Sequence, residues 1–148
     1  MKTIKVKDSS EIPENYTGIA EWPDGTKEWL KGGKPHREDG PACEYTDGGK
    51  YWYKDGEQHR LEGPAVEQSD GSKLWYKDGD RHREDGPACE YADGYKEWYL
   101  NNVCYKQIFL GDNVILDSYQ GEYNLIWYKL LGKYKVFEYP DIPGLIIK

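Results

Sequence analysis

The stretch GPACEYTDGGKYWYKDGEQHRLE, residues 40–62, decides the fold. Ala42 to Tyr45 and Gly49 to Lys54 are short aromatic-rich runs separated by Asp47-Gly48, which is a β-hairpin signal. A two-residue Asp47-Gly48 loop would pair Tyr45 with Lys50. A three-residue loop ending in Gly48 as a bulge would pair Glu44 with Lys50. The second register is preferred, because it sets opposite charges across the strands and small Ala42 against large Trp52. A second turn follows at Asp55-Gly56, then a link, 57–62, that carries His59-Arg60.

The stretch recurs with a period of 23 residues and no gaps. Asp-Gly falls at 24–25, 47–48, 70–71 and 93–94. Trp falls at Trp29, Trp52, Trp75 and Trp98, and Glu at Glu21, Glu44, Glu67 and Glu90. Gly-Pro-Ala recurs at 40–42, 63–65 and 86–88, and His-Arg at His36-Arg37, His59-Arg60 and His82-Arg83. The fourth copy decays, with Tyr105-Lys106 standing where His-Arg is expected. A unit this short cannot bury its own face, so units must stack. The expectation is an all-β, elongated antiparallel array of hairpins. Residues 1–17 form a lead-in strand, 18–108 the four repeats, and 109–148 a C-terminal cap. The cap assignment rests on composition: 17 of the chain's 26 Ile, Leu, Val and Phe residues fall in 103–148.

Composition agrees. The 148 residues make about one domain. Trp, Tyr and Phe number 6, 14 and 2, so the core is aromatic rather than aliphatic and the chain is ordered. The formal net charge of −7 argues against binding a nucleic-acid backbone or an anionic lipid surface. No apolar run is long enough to cross a membrane, and the N-terminus lacks a signal peptide's apolar stretch. Three cysteines without framework spacing fit a reducing, cytoplasmic setting.

The frame WYKDGEQHRLEGPAVEQSDG, beginning at Trp52, resembles the MORN repeat. That repeat also has an aromatic strand, a glycine turn and a step after histidine. This chain departs from it: Arg37, Arg60 and Arg83 stand where the family has glycine, and Gly-Pro-Ala replaces Gly-x-Gly. The variant is similar to repeats of bacterial and phage proteins. The resemblance covers about 18–108 and implies a scaffold or docking role without catalysis or cofactor. In a phage setting it implies an inhibitor or adaptor acting on a host protein in the host cytoplasm.

The repeated columns supply the candidate site residues. Equivalent histidines in adjacent units lie about 9.5 Å apart by strand spacing, too far to share a metal ion. The same spacing keeps Cys43 and Cys89 from bonding to each other and makes them small core residues. Arg37, Arg60 and Arg83, with His36, His59 and His82, form a row along one edge. One reading has that row grip an acidic partner, a phosphate or a nucleotide. The other has each arginine pinned by its neighbour Asp39, Glu62 or Asp85, or by the Glu column. Trp29, Trp52, Trp75 and Trp98 are assigned to the core. Tyr53, Tyr76 and Tyr99 face the other way and form either a second core layer or a partner face. An even ladder lacks the single asymmetric constellation of an active site. The functional expectation is therefore a non-catalytic module that binds another protein. The alternative is a binder that sequesters a nucleotide or other small anion. The array ends offer a route to self-association.

Overall fold

The computed structural model describes residues 1–104 in full. Beyond them it describes the backbone of 105–110, 113–118, 125–130 and 133–138. The protein is an open, nearly all-β structure. A turn of 3-10 helix, Ser9–Glu11, is capped by Asp8, whose side chain accepts from the Ser10 N–H.

Among the described residues, one sheet of fourteen strands runs the length of the chain. Thr3–Lys5 pairs in parallel with Gly18–Glu21, and from there the sheet is an antiparallel meander. Each repeat contributes one hairpin: Gly18–Glu21 with Lys27–Lys31, Cys43–Glu44 with Lys50–Tyr51, Val66–Glu67 with Lys73–Leu74, and Cys89–Glu90 with Lys96–Leu100. Each hairpin then pairs with the next. The register is the one with Glu44 opposite Lys50, and it recurs as Glu21–Lys27, Glu67–Lys73 and Glu90–Lys96. Gly48 supplies the positive φ of 95° that the bulged loop needs. Each inner lysine stands between two glutamates, so acid and base alternate across the sheet.

Two residues further along the register, on the same face, Trp29, Trp52, Trp75 and Trp98 alternate with Ala42, Ala65 and Ala88. Trp29, Trp52 and Trp75 donate their backbone N–H groups to those alanine carbonyls at 2.7–2.8 Å. The large–small alternation lets adjacent strands approach, and all three alanines are fully buried.

The expected link after Asp55-Gly56 is partly a strand. Glu57–Gln58 folds back on Tyr53–Lys54, and Asp80–Arg81 on Tyr76–Lys77. Asp55 and Gly56, at φ 52° and 93°, make the two-residue turn of a tight hairpin. The main ladder breaks at the Trp, where this second hairpin leaves the sheet. The second hairpins also join unit to unit. The Arg37 N–H donates to Tyr53, Arg60 to Tyr76 and Arg83 to Tyr99, at 3.1–3.2 Å.

The core differs from the expected tryptophan column. Trp98 is 4 % exposed, but Trp29, Trp52 and Trp75 are only half-buried. The sheet is open, and each of those three rings has one face covered by a side chain of its own unit rather than by a second layer. The buried residues are small: Ala42, Cys43, Ala65, Val66, Ala88 and Cys89, with Leu100. At the N-terminus Val6, Ala20 and Leu30 form a cluster against which Ile4, Ile12, Tyr16 and Trp22 pack. The side chains of the expected cap, 109–148, lie outside the described residues. Its described strands continue the meander through Asn113–Ser118, Leu125–Leu130 and Lys133–Glu138.

Candidate functional site

Strand alternation gives the sheet two unlike faces. One carries the Glu, Lys and Trp columns, and the arginines lie over it rather than projecting from an edge. The guanidinium carbon of Arg37 sits 4.1 Å from the centre of the Trp29 ring. Arg60 over Trp52 and Arg83 over Trp75 repeat this at 3.9 Å. Each guanidinium then meets local acceptors. Arg37 donates to Glu44 at 3.0 Å, Arg60 to Glu67 at 3.1 Å and Arg83 to Glu90 at 2.9 Å. The carbonyls of Pro41, Pro64 and Pro87 accept as well, at 3.0–3.2 Å. Arg37 and Arg83 add Asp39 and Asp85. The Arg37 side chain holds the Asp39 carboxyl below its usual range, first by its hydrogen bond and then by its charge. The arginine row is thus occupied by carboxylates of its own unit and of the next one.

The histidines join neighbouring units. Nδ1 of His36 meets the Asp55 N–H at 3.0 Å, Nδ1 of His59 the Asp78 N–H at 3.1 Å, and Nδ1 of His82 the Asn101 N–H at 3.3 Å. The carboxylates of Asp55 and Asp78 lie 2.9 and 2.8 Å from the same nitrogens. Nδ1 of His36 and of His59 either accepts from the N–H or, when it carries the proton, donates to the carboxylate; for His82 the Asn101 side-chain oxygen takes the carboxylate's place. Among the described residues, no three His, Cys, Asp or Glu side chains gather as metal ligands.

The opposite face carries tyrosine. Tyr45 and Tyr51 meet edge-to-face with ring centres 5.0 Å apart, and Tyr91 and Tyr95 stack at 5.9 Å. Tyr45 is 43 % exposed and Tyr95 61 %. Tyr53, Tyr76 and Tyr99 are half-buried beside them. Tyr53 takes a weak hydrogen bond from Gln58 at 3.4 Å. Arg81 bridges the other two, donating to Tyr76 at 3.3 Å and Tyr99 at 3.2 Å, with its guanidinium carbon 5.0 Å from the Tyr99 ring centre. Arg81 interrupts the repeat, since the same column holds Pro35 and Gln58 in earlier units. A column that changes from unit to unit carries no repeat signal, so the sequence does not mark Arg81.

The other residues missed from sequence lie at the N-terminal end of this face. Trp22, Pro23, Asp24, Thr26, Glu28, Cys43 and Tyr45 line a depression of about 490 Å³. Glu28 is one of the lining residues and stands between Ala20 and Cys43 across the strands. Burial pushes its carboxyl up from the ordinary value, against hydrogen bonds from Trp22 and Cys43 that lower it. Burial likewise pushes the Cys43 thiol up to about 12 and the Tyr45 hydroxyl up to about 12. A break in the repeat was the available signal: the column of Glu28 reads Tyr51, Leu74 and Glu97 in later units.

Among the described residues no helix is long and apolar enough to cross a membrane. No protein-family model, curated protein or solved structure matches this chain.

Proposed function

We propose that the protein is a non-catalytic docking module that recognises another protein through the tyrosine face of its sheet. The observation that carries this reading is the exposure of Tyr45 and Tyr95 above the part-buried rings of Tyr51 and Tyr91. Tyrosine gives a large, stiff contact surface with a polar tip, which suits a protein interface. Tyr53, Tyr76 and Tyr99 form the part-buried flank of that surface. The MORN-like resemblance adds the form the docking takes, an inhibitor or adaptor acting on a host protein.

The competing reading places a small anion on the His-Arg row. A depression of about 570 Å³ lies there, lined by Arg60, Trp75, His82 and Arg83. Glu62, Glu84 and Asp85 line it too. An incoming phosphate would face those carboxylates and displace Glu67 and Glu90 from the arginines. The geometry favours docking on the opposite face.

A photo-crosslinking amino acid placed at position 45 or 95 tests the proposal in extract of the cells that make the protein. Both positions should trap the same polypeptide, and position 54, an exposed lysine beside Tyr53, should not. Adducts from position 54 alone, or adducts that nucleotide abolishes, would shift the site to the other face.

A further inference from the structure

Three times on the arginine face, a Trp ring and a Glu carboxylate hold one guanidinium between them. Arg37 stands over Trp29 and bonds Glu44, Arg60 stands over Trp52 and bonds Glu67, and Arg83 stands over Trp75 and bonds Glu90. On the tyrosine face Trp22 and Glu28 line one depression with Tyr45, and no basic side chain among the described residues pairs with that carboxylate. Lys34, which lines the adjoining depression, lays its alkyl chain across Gly56 instead. The equivalent carboxylate in the last unit, Glu97, is taken by the Tyr91 hydroxyl at 2.7 Å. There Arg81 already stands over Tyr99.

We propose that the Trp22–Glu28–Tyr45 depression receives an arginine side chain from the partner protein. Glu28 lines the depression between the small residues Ala20 and Cys43 across the strands. The Trp22 and Tyr45 rings supply the aromatic walls that a planar cation stacks on. Asp24 adds a second negative group at the rim. Trp22 and Cys43 donate to Glu28, but no cation among the described residues offsets its half-buried charge, and a bound guanidinium does. The chain's net charge of −7 draws a basic segment toward it.

This assignment rests on docking by the tyrosine face. The test titrates the full-length, ¹⁵N-labelled protein with acetyl-Gly-Arg-Gly-amide and follows the indole N–H resonance of Trp22, assigned with Trp22→Phe. A saturable shift is expected. The citrulline peptide, which has the same shape without the charge, should bind at least fivefold more weakly. Glu28→Gln, with its dispersed spectrum confirming the fold, should weaken the arginine peptide by a similar factor. No saturable shift, equal binding of the citrulline peptide, or undiminished binding to Glu28→Gln overturns the proposal. So does a lysine peptide that binds as tightly as arginine. If these fail while positions 45 and 95 still crosslink one partner, the pocket is wrong and the docking reading stands.

Discussion

The guanidinium carbon of Arg60 lies 3.9 Å from the centre of the Trp52 ring, and the same side chain bonds Glu67 and the Pro64 carbonyl. Trp52 is half-buried because Arg60 covers it. Arg60→Ala should therefore lower stability, by about 1–2 kcal/mol from the stacking and the charged hydrogen bonds together. Arg60→Lys should recover only part of this, since an ammonium lacks the planar fork. Urea midpoints check both variants. A midpoint unchanged in Arg60→Ala would mean that the row is held for a ligand and not for the fold.

The four tryptophans should separate by burial. Trp98→Ala removes a ring that is 4 % exposed and should cost about 3–5 kcal/mol. Trp29→Ala, Trp52→Ala and Trp75→Ala remove half-buried rings and should cost about 2–3 kcal/mol, including the stacking lost with arginine. Denaturant unfolding monitored by far-UV circular dichroism ranks them. Equal losses at all four positions would show one uniform core.

Gly56→Ala should destabilise by about 1–2 kcal/mol, because a φ of 93° is disfavoured for any residue with a Cβ. An added Cβ would also press the Lys34 chain at 3.3 Å. Gly79, at φ 83° with nothing closer than 3.7 Å, isolates the backbone part of the cost. Thermal melts of the two alanine variants should place Gly56→Ala below Gly79→Ala.

Cys43 and Cys89 are 5 % and 0 % exposed, and burial pushes their thiols up to about 12 and about 11. Both stay protonated and shielded at pH 8, whereas Cys104 is part-exposed. An aromatic disulfide reagent should thus titrate one thiol rapidly in the native protein and three after denaturation. Rapid reaction of two or more native thiols would contradict this burial.

What repeats could be read from the sequence, and what does not repeat could not. The Glu44–Lys50 register followed from one period, since only one loop length places opposite charges across the strands in every copy. The strand at Glu57–Gln58 escaped, because a two-residue polar strand has no hydrophobic alternation to announce it. The tryptophans looked like core because large rings are usually buried. Their cover comes from arginines eight residues further along the chain, a contact no local pattern encodes. Glu28 and Arg81 were invisible for the opposite reason: a search for columns discards the positions where a column changes. On a scaffold of near-identical units, those positions are where one unit can differ in chemistry from the next.

Glu28 gives the sharpest sign. Its carboxyl is raised above the ordinary 4.5, chiefly by burial. In the window between the unfolded and folded values, the folded state holds more proton than the unfolded one. Stability contributed by this group is therefore fully present below 4.5 and is lost as pH rises through the folded value. At pH 7 the charged Glu28 works against folding. Glu28→Gln keeps the shape and an acceptor for the Trp22 indole while removing the charge, so it should raise the urea midpoint at pH 7. The gain should shrink toward zero as pH falls below 4.5. A residue that weakens the free fold fits a site kept for binding. If Glu28→Gln is instead less stable than wild type at pH 7, the carboxylate is a structural hydrogen-bond acceptor and the pocket loses its strongest support.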